Sequence, residues 1–572
     1  MSETTSPSRL PDRRAFMGYF AGIGLGGTLF PGVLWSRVAD GAEITEETVR
    51  CAAEIAGLEF DAAERRMMVE SLKQQERQIE ELRRIPLANS VPPAVSFSPV
   101  LPGTPPPAGE PRDRVSVPRA PAMRVTANLE ELAFLPVTAL AELVRRRKVT
   151  SLQLTRMYLD RLRRYDPLLR AVVTLTEERA IRQAEERDRE LARGRYRGPL
   201  HGIPWGAKDL LAVRGYPTTW GAAPFRAQVI DEDATVVKRL DEAGAVLVAK
   251  LTLGSLAMGD VWFGGTTRNP WKTDQGSSGS SAGPGSATAA GLVAFSIGSE
   301  TLGSISSPST RNGVTGLRPT FGRVPRTGAM ALSWTMDKLG PMCRSVDDCA
   351  LVLAAIHGPD GADPTAQHAV PFRYDARTRP GQLRIGYFKA AFEREERQYP
   401  NRRFDLATLE TLRRLSANLI PLEVPDLNYG AMRIILTAEA AAAFDELTRS
   451  GRDAELTEQG PGSWPNTFRT ARFIPAVEYI NANRVRTLAM RAWAELFRGV
   501  DVIVTPTSGP QLLATNLTGH PAVILPNGFR EDGTPVSVTF LGGLFGEGRL
   551  LEVAGAYQRT TDFHLKHPVL RV

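Results

Sequence analysis

Short apolar runs recur along this 572-residue chain, each too brief for a helix and each bounded by glycine, proline or an acidic residue. Ala245–Ala249 follows a helical stretch and a Gly244 turn in "DATVVKRLDEAGAVLVAKL". A second run lies in "ATAAGLVAFSIGSE", and two more, "VDVIVTPTS" and "PAVILPNGF", come late in the chain. These runs do not alternate polar with apolar residues, so both faces of each must be covered, as in a sheet packed between helices. Because amphipathic helical segments separate them, the pattern predicts an α/β fold with a central mixed β-sheet covered by helices on both sides.

Composition agrees with a large folded core: 42% of residues are hydrophobic and 23% charged. The formal charge of +7 is scattered, with no basic stripe carrying interleaved aromatics, so no nucleic-acid partner is expected. Cys51, Cys343 and Cys349 lack CxxC spacing and the six histidines are dispersed. Neither a disulfide framework nor a metal site is indicated, and no cofactor is expected.

The N-terminal stretch "SRLPDRRAFMGYFAGIGLGGTLFPGVLW" sets Arg13 and Arg14 before a glycine-rich apolar run. It resembles a twin-arginine export signal, so residues 1–43 are expected to direct export to the periplasm, with a cytoplasmic location as the alternative. No other apolar run has membrane-spanning length, so no stable membrane span is expected unless the signal stays uncleaved. Residues 44–91 read as a helical hairpin: Thr45 as N-cap, Gly57 as the stop, Asp61 with Glu64 as a capping box, and Met68, Leu72, Ile79 and Leu82 as an apolar stripe. Pro92, Pro93, Pro99, Pro102, Pro105, Pro106 and Pro107 make 92–127 an extended linker. The main domain, 128–572, opens with helices for which Thr138 and Ser151 read as N-caps.

Within that domain "GIPWGAKD" holds Lys208, "QGSSGSSAGPGS" spans Gln275–Ser286, and "SETLGSISS" holds Ser304. With "GVTGLRPTFGRVPR", "DKLGP", "VDVIVTPT" and "NLTGHPAVILPNGF" in this order, the chain from about Asn128 to its end resembles the amidase signature family. The resemblance implies that family's fold and a Ser-cisSer-Lys triad, with Lys208 as base, Ser280 as the bridging serine and Ser304 as nucleophile. Two Ser-Ser pairs compete for the bridging place. In the family the bridging serine lies 24 positions before the nucleophile, which selects Ser280 over Ser277. A cis bond between Gly279 and Ser280 is implied. Backbone N–H groups of Thr301, Leu302 and Gly303 are implied as oxyanion donors, and Ser281 and Ser299 as supporting hydroxyls.

The chemistry is coherent. A serine hydroxyl needs a base to become a nucleophile. A lysine can be that base only when neutral, which burial favours. No histidine here has a motif around it, so a histidine triad is unsupported. Three departures from the family stand around the nucleophile: Glu300 for Asp, Leu302 for Gly and Ser306 for Arg, the first and last reading as paired changes in a support network. Pocket walls are expected from "LAMGDVWFGGTTRNPW", with Trp262 and Phe263, and from "TSGPQLLATNLTG".

The segment "ITEETVRCAAEIAGLEF" with the following "IPLANSVPPAV" is also similar to the C subunit of tRNA-dependent amidotransferases. The expected function is hydrolysis of a small carboxamide to carboxylate and ammonia or amine. The alternative is a glutamine-hydrolysing amidotransferase-type subunit that supplies ammonia to a partner. The partner expected here is a small-molecule amide. The sequence leaves acyl group, amine and oligomeric state open.

Overall fold

In the computed structural model of the chain, residues 44–83, 88–91, 95–102, 112–118, 120, 125–395, 397, 399–415 and 418–571 are described. The export signal expected over 1–43 lies outside them. Two units are present, Met1–Ala88 with Phe473–Glu478, and Asn89–Arg472 with Tyr479–Val572.

In the first unit, α1 (Glu46–Ala56) starts where the Thr45 hydroxyl accepts the Thr48 N–H and the Thr48 hydroxyl accepts the Thr45 N–H. It stops at Gly57, whose φ of +67° is the left-handed conformation glycine adopts without penalty. A second helix, α2 (Ala62–Arg83), opens on a reciprocal box. Asp61 Oδ1 accepts from the N–H groups of Ala63 and Glu64 at 2.7 and 2.8 Å, and Glu64 Oε2 accepts from the Asp61 N–H at 2.7 Å.

In the second unit, apart from four short strands between 261 and 276 that form two separate pairs, the strands in chain order are β1 (Arg114–Ser116), β2 (Val172–Leu175), β3 (Pro204–Lys208), β4 (Val246–Leu251), β5 (Phe295–Glu300), β6 (Thr315–Arg318), β7 (Lys338–Cys343), β8 (Arg373–Asp375), β9 (Ile385–Phe388), β10 (Leu419–Leu422), β11 (Val502–Pro506), β12 (Ala522–Phe529) and β13 (Pro535–Gly542). Eleven of them form one mixed sheet in the order β10-β9-β11-β13-β12-β6-β7-β5-β3-β4-β2. β3 is parallel to both β4 and β5, and β5 is antiparallel to β7. Every residue of β3, β4, β5 and β7 is buried. Side chains alternate between faces along a strand, so both faces of the sheet's middle are covered. That explains why these runs read as continuous rather than alternating hydrophobic stretches.

Helices α3 (Val137–Arg145), α4 (Ser151–Leu169) and α5 (Glu177–Ala192) precede β3. The short helices α6 (Ala282–Ala289) and α7 (Ser306–Asn312) flank β5 in sequence. Leu159 and Leu162 of α4, Ala180 and Ala184 of α5, Val248 of β4 and Ala287 of α6 share one core cluster. The helix starts differ from the sequence reading. The N-cap of α3 is Pro136, and the Thr138 N–H is taken instead by the distant Asp348 carboxylate at 3.1 Å. For α4 the cap is Thr150, which exchanges hydrogen bonds with Gln153, while the Ser151 hydroxyl turns to the Gly202 carbonyl.

Where it is described, the proline-rich stretch is held against this unit. Asn89 exchanges two hydrogen bonds with the Ala331 backbone, at 2.7 and 2.8 Å. The Phe97 ring packs edge-on against Phe321, and the Arg486 guanidinium lies 3.4 Å from its centroid. Further on, β1 pairs in parallel with β8.

Candidate active site

Lys208 ends β3, between its two parallel neighbours, and its side chain is fully buried. Its Nζ lies 2.8 Å from Ser280 Oγ, 3.0 Å from Ser281 Oγ and 2.8 Å from Ser299 Oγ. Ser299 belongs to the adjoining strand β5. Ser280 and Ser281 stand just before α6, and the Gly279–Ser280 peptide is cis. Glycine at 279 is dictated by close approach: a Cβ there would sit 1.7 Å from the Gly259 carbonyl oxygen.

Counting donors shows what this cluster can do. A neutral amine has two N–H groups and one lone pair, whereas an ammonium has three N–H groups and none. Ser281 Oγ donates to the Ser299 carbonyl at 3.1 Å and accepts the Ser299 N–H at 3.1 Å, so its proton is already committed. A neutral Lys208 can therefore donate to Ser281 and Ser299 and accept the proton of Ser280. Burial drives the lysine toward that form: desolvation lowers its pKa well below the ordinary 10.5, against the opposing pull of Asp337 and Glu300.

Ser304 follows β5 on a turn in which Gly303 has φ +85°, a conformation that disfavours any side chain. The Ser304 carbonyl accepts the Ser281 N–H at 3.1 Å, which ties the turn to the serine pair. The hydroxyls of Ser280 and Ser304 are not bonded to each other among the described residues. Exposure rises from Lys208 (0%) through Ser280 (1%) to Ser304 (9%), so the three run from the interior outward. Among the described residues the N–H groups of Thr301, Leu302 and Gly303 meet no backbone carbonyl.

The amidase family model matches residues 153–551. The chain belongs to the amidase family. It is a hydrolase of amide carbon–nitrogen bonds. It is 34% identical over 492 residues to the A subunit of the glutamyl-tRNA(Gln) amidotransferase of Moorella thermoacetica, a match spanning 77% of this chain and 100% of that one. Among solved structures, the peptide amidase of Stenotrophomonas maltophilia superposes with a TM-score of 0.66 and 32% identity, over 75% of this chain and 97% of that one. A TM-score of 0.68 with 28% identity, over 74% and 98%, relates it to an inhibitor-bound chain from a vestigial protein complex linked to the origins of an s-triazine catabolic enzyme.

Two of the three departures near Ser304 in this amidase, Glu300 and Ser306, are in contact with each other. Glu300 Oε2 accepts from the Ile305 N–H at 2.9 Å and from the Ser306 N–H and hydroxyl, both at 2.8 Å. Its Oε1 accepts from Arg318 and Asn516, each at 2.8 Å. Burial pushes this carboxyl up, but Arg318 and the surrounding donors outweigh it and hold the pKa at about 2. Ser306 has no charge of its own, and the cation that balances Glu300 comes from β6 instead.

Asp337, on the far side of the turn, escaped the sequence reading. Its Oδ1 accepts the Thr301 hydroxyl at 2.5 Å and its Oδ2 accepts the N–H groups of Leu332 and Ser333 at 2.8 and 2.9 Å. It thereby ties down the start of the turn that carries Ser304. The only signal was a charged pair, Asp337–Lys338, set beside an otherwise apolar strand. Lys338 is buried too and donates to the Met336 carbonyl.

Of the two expected pocket walls, the later one borders open space. Thr507, Ser508 and Leu512 line a cavity of about 440 Å³ together with Ser306 and Ser307. A Cβ on Gly303 would stand 3.6 Å from Leu512. Trp262 and Phe263 instead pack edge to face, 4.7 Å apart, with Trp262 buried and Arg226 over the Phe263 ring.

Proposed function

We propose that this amidase cleaves a small carboxamide through an acyl-enzyme on Ser304, with Ser280 and Lys208 as the proton relay. The observation that carries this reading is the buried Lys208 amine, 2.8 Å from Ser280 Oγ and surrounded only by hydroxyls in its first contacts. Ser304 Oγ attacks the amide carbonyl as its proton passes to Ser280, and the Ser280 proton passes to the Lys208 lone pair. The N–H groups of Thr301, Leu302 and Gly303 face the resulting oxyanion; losing one such donor costs about 100- to 1,000-fold in kcat. The relay then runs backward and protonates the leaving nitrogen as the C–N bond breaks. Water, giving its proton to the same relay, releases the carboxylic acid and restores Ser304.

A panel of aliphatic, aryl and amino-acid amides, assayed without ATP, tests the reading. Ammonia or amine release from at least one of them is expected. Because the base must be neutral and its pKa is lowered by burial, kcat/KM should climb with pH to a plateau, with a midpoint far under the ordinary lysine value of 10.5. A midpoint near 10.5 would remove Lys208 as the base.

A second reading is favoured by the 34% identity to the A subunit of an amidotransferase: glutamine hydrolysis that supplies ammonia to a partner protein. Activity seen only with glutamine, a partner and ATP would select it. We also propose export by the twin-arginine route, on the strength of Arg13–Arg14 and the apolar run behind them. Replacing both arginines by lysine should leave the protein in the cytoplasm, and unimpaired export would refute the signal.

A further inference from the structure

The cavity beside the Ser304 turn carries more positive charge than its own walls neutralise. Arg311, in the last turn of α7, and Arg530, just past β12, both line it. Arg311 donates only to a neutral acceptor, Gln275 Oε1 at 3.2 Å. Arg530 likewise donates to Asn401 Oδ1 at 3.3 Å, Thr534 Oγ1 at 3.2 Å and the Pro535 carbonyl at 3.0 Å. Among the described residues neither guanidinium forms an ion pair. One carboxylate lines the cavity, Asp532, but it is occupied by the Thr534 N–H and hydroxyl at 3.1 and 2.6 Å and faces Lys272 at 3.6 Å. Burial lowers the Arg530 pKa most, and Arg311 stands close enough to lower it further against the pull of Asp532. Each guanidinium presents five N–H donors, so both retain free ones. The facing wall is hydroxyl: Thr310 and Ser537 are 2.6 Å apart, and Ser537 and Thr507 2.9 Å.

The cavity lies close to Ser304 along the chain. Ser306 and Ser307 line it two and three residues after Ser304, and Leu512 touches both the cavity and the Gly303 position. We infer that this cavity receives a carboxylate carried by the amide substrate, so that the preferred substrates are half-amides of dicarboxylic acids or related amido acids. The inference rests on the amide-hydrolysis reading of Ser304. A planar guanidinium fork suits a carboxylate, and two like charges side by side gain by its arrival.

The test compares succinamate, glutaramate and adipamate with the matching neutral diamides. For the best chain length, kcat/KM for the half-amide should exceed that for the diamide by about tenfold or more, the worth of one charge-assisted contact. In Arg311→Gln and in Arg530→Gln that ratio should fall toward one, mainly through a higher KM for the half-amide. A ratio of one or less in the wild type, or a ratio unchanged in both variants, overturns the inference while leaving amide hydrolysis intact. If neither half-amide nor diamide is cleaved, the cavity is judged by calorimetry with succinate, glutarate and adipate. Binding that the double variant loses then sustains the carboxylate site. Binding that is absent, or equal in the double variant, ends it.

Discussion

Ser304→Ala should lower kcat on any carboxamide this enzyme accepts by about a million-fold, the scale set by removing a serine nucleophile from a complete relay. Ser304 is the outermost of the three residues, at 9% exposure. Ser280 cannot replace it, because its hydroxyl is sequestered against Lys208 at 2.8 Å. A fluorophosphonate probe should label the wild type once per chain and leave Ser304→Ala unlabelled. Lys208→Ala should cost nearly as much as Ser304→Ala, and the double variant little more than either, because the residues act as a unit. Equal labelling of wild type and Ser304→Ala would move the nucleophile elsewhere. Additive losses would break the relay into independent parts.

The second large effect is on stability. Glu300 and Arg318 form an ion pair at 2.8 Å with both side chains fully buried. Arg318→Met strands the Glu300 carboxylate in the interior and should cost about 3–5 kcal/mol at pH 7. The pH dependence separates this from a simple packing defect. In the wild type the folded pKa of Glu300 is depressed from its ordinary 4.5 to about 2. Its contribution is therefore fully present above pH 4.5 and is lost as pH falls toward 2, and is worth about 3 kcal/mol. In Arg318→Met the carboxyl can protonate at higher pH, so the gap between wild type and variant, read from urea unfolding midpoints, should narrow as pH drops below 4.5. A gap independent of pH would mean that lost packing, not a stranded charge, is what destabilises the variant.

Much of the fold could be read from local pattern because its causes are local. The strands of the sheet's middle contain short apolar runs such as Val246–Ala249, and the reciprocal Asp61–Glu64 box marks a helix start within four residues. Lys208 and the serines stood out through spacing and neighbouring glycines, and the structure brings Lys208 against Ser280, Ser281 and Ser299. What stayed hidden depends on distant partners. Asn516 reaches Glu300 across 216 positions, and Asp348 takes the Thr138 N–H across 210. Nothing near Asp337 in sequence announces that it will receive the Thr301 hydroxyl from 36 positions away. Trp262 and Phe263 misled for the opposite reason: large aromatics suit a pocket wall and a packed interior equally well, and here they pack on each other.

The donor count around Lys208 bears on how the enzyme meets its surroundings. In the proposed relay the Lys208 amine is neutral and presents no net charge for dissolved electrolyte to screen, so the bond-making step should be indifferent to ionic strength. The two arginines near the cavity mouth are exposed to the same ions and, at physiological concentrations with a screening length of about 8 Å, should feel them fully. On the proposed mechanism, capture and chemistry would thus answer to different solvents: one to the brine outside, the other to a few side chains.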